Sequence, residues 1–175
     1  MKMKTQVTVA AAMAMGLMSG GAMADMGAGT VTFTGTVSDA PCNIAAEYVD
    51  QTVPFGLISK SYLNAGNEVM KDFKIVLEKC DIATLKNVGI TFYGPNNATG
   101  TEMQTTSGEA KNVAVRLALA GGDNITLGTA TKDLPLIAGT NTLQFTAYAK
   151  KAAGAAGDVT EGKFESVADF RMSYK

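Results

Sequence analysis

The chain carries few of the side chains that perform acid–base or nucleophilic chemistry. Its 175 residues include no histidine, which excludes Ser-His-Asp and Cys-His catalysis. Paired carboxylates could still act together, but they would need a separation of about 5 to 9 Å. The carboxylates nearest to one another in sequence are Asp72, Glu78 and Asp81, and Glu161, Glu165 and Asp169. They occupy the polar positions of alternating segments, so we predict no catalytic residue and no enzyme.

The sequence also predicts neither a metal nor a cofactor. Its two cysteines are Cys42 and Cys80, and two thiols without histidine do not make a zinc site. The glycines Gly27, Gly29 and Gly35 lack the lysine and the strand-to-helix context of a phosphate-binding loop. A formal net charge of −1 gives no basis for a nucleic-acid partner.

The N-terminal residues predict export. Lys2 and Lys4 supply a positive start, an uncharged and mostly apolar run follows, and residues 20–24 are mostly small. This pattern is typical of a secretory signal peptide, here residues 1–24, with cleavage after Ala24. An N-terminal membrane anchor is the alternative, which the shortness of the apolar run disfavours.

Export places the two cysteines in an oxidising environment. An isolated pair there most simply forms one disulfide, Cys42–Cys80, with two free thiols as the alternative. The loop that this bond would close is about forty residues long. The chain-entropy model gives such a loop roughly 4 kcal/mol of stabilisation.

Alternation of apolar and polar residues dominates the remaining chain and predicts an all-β domain. Turn residues separate the segments, as in a β-sandwich or a small barrel. At most one helical turn is expected, at residues 45–48, and residues 150–158 are expected to form an exposed loop. The predicted strands cover residues 30–37, 71–80, 88–92, 113–119, 143–149 and 164–174.

Two features are unusual for a self-contained sandwich. The final segment has the clearest alternation, yet the sequence gives it no later strand to pair with. Residues 25–29 are glycine-rich and run directly into the alternating residues 30–37. A fold with a missing edge and a spare strand suggests exchange of a strand between molecules. The alternative is that residues 30–37 form the first strand of their own sheet, and periodicity does not choose between the two.

Several motifs in a fixed order resemble those of chaperone–usher pilins, in particular the major rod subunits of P pili and type 1 fimbriae. The resemblance covers essentially all of the mature chain. The segments that carry it are residues 29–37, 39–42, 50–53, 55–56, 77–80, 139–143 and 170–175, where tyrosine is the penultimate residue.

This resemblance implies an incomplete immunoglobulin-like β-sandwich that is completed by donor-strand exchange. Residues 25–37 would be the N-terminal donor extension, and residues 38–175 the pilin domain. The implied partners are identical subunits, a periplasmic chaperone and an outer-membrane usher, and the implied location is the cell surface.

The resemblance also assigns roles to individual residues. The donor strand would present Gly27, Gly29, Val31 and Phe33. The acceptor groove and the chaperone contact would involve Phe170, Met172, Tyr174 and Lys175, with the carboxylate of Lys175 held by basic chaperone residues. The predicted function is a structural subunit that polymerises into an adhesive pilus rod. The alternative is a self-contained secreted binding module, for example for carbohydrate, although the chain has no tryptophan to form a sugar platform.

Overall fold

A computed structural model describes residues 29–97 and 100–175. The predicted signal peptide and the predicted donor residue Gly27 lie outside these residues. No helix within them is long and apolar enough to cross a membrane. The chain divides into two compact units, Met1–Val37 and Ser38–Lys175.

In the first unit, residues 29–37 form neither a helix nor a strand, and each of them is exposed. Val31 is 74% exposed, Phe33 is 90% exposed and Val37 is 99% exposed. The interpretation of residues 30–37 as the first strand of their own sheet is therefore wrong for this structure. No described strand pairs with these residues, so pairing within the described chain does not explain their alternation.

The second unit contains two antiparallel sheets. The larger sheet has the order β1-β2-β7-β5-β4, and the smaller has the order β6-β3-β8. The strands of the larger sheet are β1 (Asn43–Ile44), β2 (Val69–Cys80), β4 (Met103–Gln104), β5 (Val113–Leu119) and β7 (Gly139–Lys151). Those of the smaller sheet are β3 (Asn87–Tyr93), β6 (Leu134–Pro135) and β8 (Asp169–Tyr174).

The inward faces of the two sheets form one core. β2 and β7 pair from Val69↔Ala149 to Leu77↔Asn141, which places Phe73 directly opposite Phe145. The Phe145 ring stacks on Phe73 and meets Phe92 of the other sheet edge-on, each with a centroid distance of 5.3 Å. Because side chains alternate across a strand, the inward-facing apolar residues of β2, β3 and β7 reach this layer, among them Ile75, Ile90 and Leu143.

The strand predictions for residues 71–80, 88–92, 113–119 and 143–149 are confirmed, and Ala46–Tyr48 forms the single expected helical turn. The helix α1 (Lys60–Asn64) was not predicted. The expected loop at residues 150–158 begins later, because β7 continues to Lys151 and pairs with β5 there.

Lys150 lies in this extension of β7 and pairs there with Ala114 of β5. Its Nζ lies 2.7 Å from Oε1 of Glu102, whose carboxylate is buried and also accepts the Ala153 N–H at 2.9 Å. The hydrogen bond to Glu102 raises the pKa of Lys150, although partial burial opposes it. The charged pair therefore ties the end of β7 to the following loop.

The predicted disulfide is confirmed. Cys42 and Cys80 are bonded, both are buried in the core, and 38 residues separate them in sequence. The bond joins the residue before β1 to the end of β2, and β1 pairs with β2 through Asn43↔Glu78 and Ile44↔Leu77.

β8 is an edge strand with one unpaired side. Among the strands of the described residues it pairs only with β3, and Lys175 and Asn87 exchange both of their main-chain hydrogen bonds, at 3.0 and 2.9 Å. Bonding alternates along an antiparallel ladder. Arg171 and Ser173 therefore bond to β3, whereas the N–H and C=O groups of the even residues point to the open edge. These even residues are Phe170, Met172 and Tyr174, and their side chains are half-buried.

The disulfide should supply a large part of the stability. Replacing both cysteines, Cys42→Ala and Cys80→Ala, should lower the free energy of unfolding by roughly 4 kcal/mol, measured by denaturant titration. The wild-type chain with its disulfide reduced is the matched control, and it should unfold at the same denaturant concentration as the double-substituted chain. Equal stability of the oxidised and double-substituted chains would contradict the prediction.

The open edge predicts alternating amide exchange along β8. In the unoccupied chain, the amide hydrogens of Arg171 and Ser173 should exchange at least about tenfold more slowly than those of Phe170, Met172 and Tyr174. Hydrogen exchange followed by NMR measures each amide separately. Uniform protection along the strand would show that its outer edge is already paired.

Candidate functional site

A deep groove of about 1250 Å³ opens along the Ser38–Lys175 unit. Two segments of the chain border it. We call residues 49–58 the first lip and residues 159–170 the second lip. The floor between them is apolar and comes from both sheets: Phe73, Ile75, Phe92, Val115, Leu117 and Ala147.

The first lip lacks backbone partners. Within the described chain, residues 52–58 make no main-chain hydrogen bond. The nearest attachment is the Gln51 side chain, which donates to the carbonyl of Lys74 at 3.2 Å. Val53, Phe55 and Ile58 are half-buried while their neighbours are exposed, so side-chain packing holds this segment in place.

The second lip is paired on one side only. The carbonyl of Lys163 accepts from the Ala110 N–H at 3.0 Å, and Glu165 exchanges hydrogen bonds with Ser107 and Thr106 at 3.0 and 2.7 Å. The alternate residues, Phe164, Ser166 and Ala168, make no main-chain hydrogen bond within the described chain, and their side chains are half-buried.

Two glycines allow the second lip to lie so close to residues 104–110. Gly108 has φ +107° and Gly162 has φ +138°, a backbone region that favours glycine. A Cβ atom at Gly162 would come within 2.7 Å of the Ala110 nitrogen, and one at Gly108 would overlap the main chain of Lys163. These glycines therefore fix the position of Phe164 at the groove.

The second lip continues into the unpaired edge of β8. Phe170 lies at this junction, lines the groove and approaches Phe92 with a ring-centroid distance of 6.2 Å. Even-numbered residues from 164 to 174 thus present half-buried side chains and unpaired backbone along one continuous edge.

The structure places the predicted acceptor residues on this edge, but not all of them in the groove. Phe170 lines it, whereas Met172 and Tyr174 pack against the main core beyond its lining. Burial raises the pKa of Tyr174, whose hydroxyl contacts the Met172 sulfur at 3.3 Å. Lys175 pairs through its ammonium group with Asp133 at 2.9 Å.

The main-chain oxygen of Lys175 also has partners. It accepts the N–H groups of Lys86 and Asn87 at 2.7 and 2.9 Å. Of the predicted donor residues, Gly29, Val31 and Phe33 are described, and all three are exposed.

Sequence reasoning did not predict the first lip or the floor as part of the site. Val53 and Phe55 are large apolar residues two positions apart, which is the spacing of side chains on one face of a strand. The segment is nevertheless too short to distinguish a strand from a loop. The floor residues were recognised only as core positions, because period-two burial does not reveal whether a second sheet covers the face.

Two glutamates lie on the rim of the groove. Glu161 and Glu165 lie on the rim as exposed groups, the first near Lys60 at 3.5 Å and the second bonded to the Ser107 hydroxyl at 2.9 Å. Within residues 29–97 and 100–175, no cluster of three or more His, Cys, Asp or Glu side chains could hold a metal ion. None of the five tyrosines lines the groove.

The geometry suits an extended peptide. The volume exceeds the range of about 300 to 1,000 Å³ that small-molecule sites occupy. Both lips present unpaired backbone, which a strand can satisfy, and the apolar floor can receive alternate side chains.

Comparisons with known proteins agree with this architecture. The family model for fimbrial proteins matches residues 31–175. The Fimbria A protein of Serratia marcescens is 41% identical over 171 residues, which cover 97% of this chain and 98% of that protein.

Two solved structures are similar in fold. The P pilus rod subunit PapA has 34% sequence identity and a TM-score of 0.71, over 78% of this chain and all of that one. A chaperone–usher pilus studied for the uncoiling of its rod has 37% identity and a TM-score of 0.76, over 86% of this chain and 97% of that one. These similarities confirm the predicted incomplete immunoglobulin-like sandwich, and the chain belongs to the fimbrial protein family.

Proposed function

We propose that this chain is a structural subunit of an adhesive surface fimbria and that its groove receives the N-terminal strand of another copy. The observation that carries the proposal is the open groove, which has an apolar floor and unpaired backbone on both lips. Such an edge is a template for pairing with another chain. Family membership supports export to the cell surface and assembly with identical subunits.

The proposed occupant is the N-terminal arm, residues 25–37 of a second subunit. Val31 and Phe33 are large, apolar and almost fully exposed, so inserting them into the groove would remove unfavourable apolar surface from water. Gly27 and Gly29 share their face in an extended strand. The second unit, residues 38–175, would act as the acceptor domain.

The proposed assembly partners follow from the same groove. An unfilled edge with an apolar floor would aggregate during export, so a periplasmic chaperone would cover it first. An outer-membrane usher would then be the place where the arm replaces the chaperone. Phe170, Met172 and Tyr174 would contact either occupant along the open edge, and the carboxylate of Lys175 would bind basic chaperone residues.

A carbohydrate-binding module is a weaker explanation. The groove floor carries phenylalanine and aliphatic side chains without hydroxyl or amide groups. Sugar recognition needs such polar groups for orientation.

A synthetic peptide tests the proposal. In the full mature chain with Val31→Asp and Phe33→Asp, the N-terminal arm cannot enter a groove, because that groove would have to bury two charges. Adding an excess peptide of residues 25–37, at about 100 times its dissociation constant, should stabilise this chain by about 2.7 kcal/mol. Its thermal midpoint should then rise by roughly 5 to 10 °C.

Two control peptides locate the face that binds. A peptide with Val31→Asp and Phe33→Asp should give no shift, whereas one with Thr30→Asp and Thr32→Asp, which changes the opposite face, should still stabilise the chain. The reverse pattern would show that the assigned donor residues are wrong by one position. No shift with the unmodified peptide would refute the proposed exchange.

A further inference from the structure

The two lips touch at one aromatic contact. The rings of Phe55 on the first lip and Phe164 on the second have centroids 6.0 Å apart and an interplanar angle of 40°. Both rings line the groove, are half-buried and pack against the main core. Rings at this separation attract one another.

Both rings lie in the groove that an inserted strand would enter. Neighbouring strands lie about 4.8 Å apart, so lips that flank a donor strand must stand about 10 Å apart at the backbone. The inward side chains of that strand enter the same apolar layer as the Phe55 and Phe164 rings. Inward side chains of a donor strand would therefore meet the two rings.

The first lip is able to move. Residues 52–58 make no main-chain hydrogen bond within the described chain, so opening breaks none. Gly56, next to Phe55, has φ +75° and would have open space around a Cβ atom. Displacing this segment mainly costs the packing of Phe55 and its neighbours.

The α1 end of the groove is held more firmly. The amide of Asn64 bonds to both main-chain groups of Val159, at 2.8 and 3.4 Å, and Leu63 packs with Val159 in a small separate core. The nearby Lys60–Glu161 pair is largely exposed, which makes its contribution small. Opening is therefore confined to the part of the groove beyond this end.

We infer that Phe55 and Phe164 form a latch that closes the empty groove and must separate before a donor strand can seat, so that these two residues set the rate of strand uptake. The inference rests on the proposed function. It adds that the rate is controlled by a contact between the lips, and not by the depth of the groove alone.

Uptake kinetics test the latch. The full mature chain with Val31→Asp and Phe33→Asp is mixed with an excess of a fluorescent peptide of residues 25–37, and anisotropy gives the rate. Phe55→Leu and Phe164→Leu keep an apolar side chain at each position but remove the ring pair. Each should accelerate uptake about three- to tenfold, the range expected from losing one aromatic pair.

A double-mutant cycle separates the latch from general loosening. With the latch already open, combining Phe55→Leu with Phe164→Leu should give little further acceleration. The matched control pairs Phe55→Leu with Phe170→Leu, a ring on the second lip that contacts Phe92 instead, and these effects should multiply. Circular dichroism and the intact Cys42–Cys80 bond establish that each variant is folded.

Three results would overturn the inference. They are uptake that is unchanged or slower in both single variants, multiplicative effects in the Phe55 and Phe164 cycle, and failure of every chain to take up the peptide. Only the last would also refute the proposed function, so the two failures are distinguishable.

Discussion

The structure depends on one constraint: backbone N–H and C=O groups at a sheet edge must find partners, and here one row of partners is missing. Along residues 164–174 the even-numbered residues direct their backbone groups away from every neighbouring strand. Across the groove, residues 52–58 make no main-chain hydrogen bond with any other described residue. A buried, unsatisfied edge is costly, so the backbone groups on this edge need either water or an added strand as partners.

The rest of the fold makes this open edge tolerable. The disulfide and the long β2–β7 ladder hold the floor, and the phenylalanine cluster of Phe73, Phe92 and Phe145 ties the two sheets together. Gly108 and Gly162 hold the second lip against its neighbour. The floor and the second lip are thus held by covalent, hydrogen-bonded or close main-chain contacts, with the first lip as the exception.

Much of the fold was predictable because its strands alternate with period two. That signal located β2, β3, β5, β7 and β8, and export predicted the disulfide. The period-two pattern wrongly predicted a strand at residues 30–37. Alternation indicates that a segment is able to pair as a strand, but it does not indicate that a pairing strand exists in the same chain. Two-residue strands such as β1 and the short helix α1 are below the length at which a period can be read.

The site was less predictable than the fold. Phe170 was predicted because the resemblance assigns the final strand to the acceptor groove, whereas Phe55 lies in a segment with no regular structure. The floor residues read as ordinary core positions from sequence alone. These residues line a groove because no described strand pairs with the outer edge of β8. That feature depends on how the two sheets pack together, which the alternation of a single strand does not reveal.

In the proposed assembly, the arm of one copy fills the groove of another. The most direct measurement is sedimentation velocity of the full mature chain, diluted from denaturant and mixed with increasing fractions of the Val31→Asp, Phe33→Asp chain. The substituted chain keeps a groove but has no usable arm. It can therefore add at only one end of a polymer and stop its growth.

Strand exchange predicts that the wild-type chain alone forms long polymers and that the substituted chain alone stays monomeric. Mean polymer size should fall steadily as the fraction of the substituted chain rises. A wild-type chain that remains a stable monomer, or a substituted chain that polymerises equally well, would contradict it.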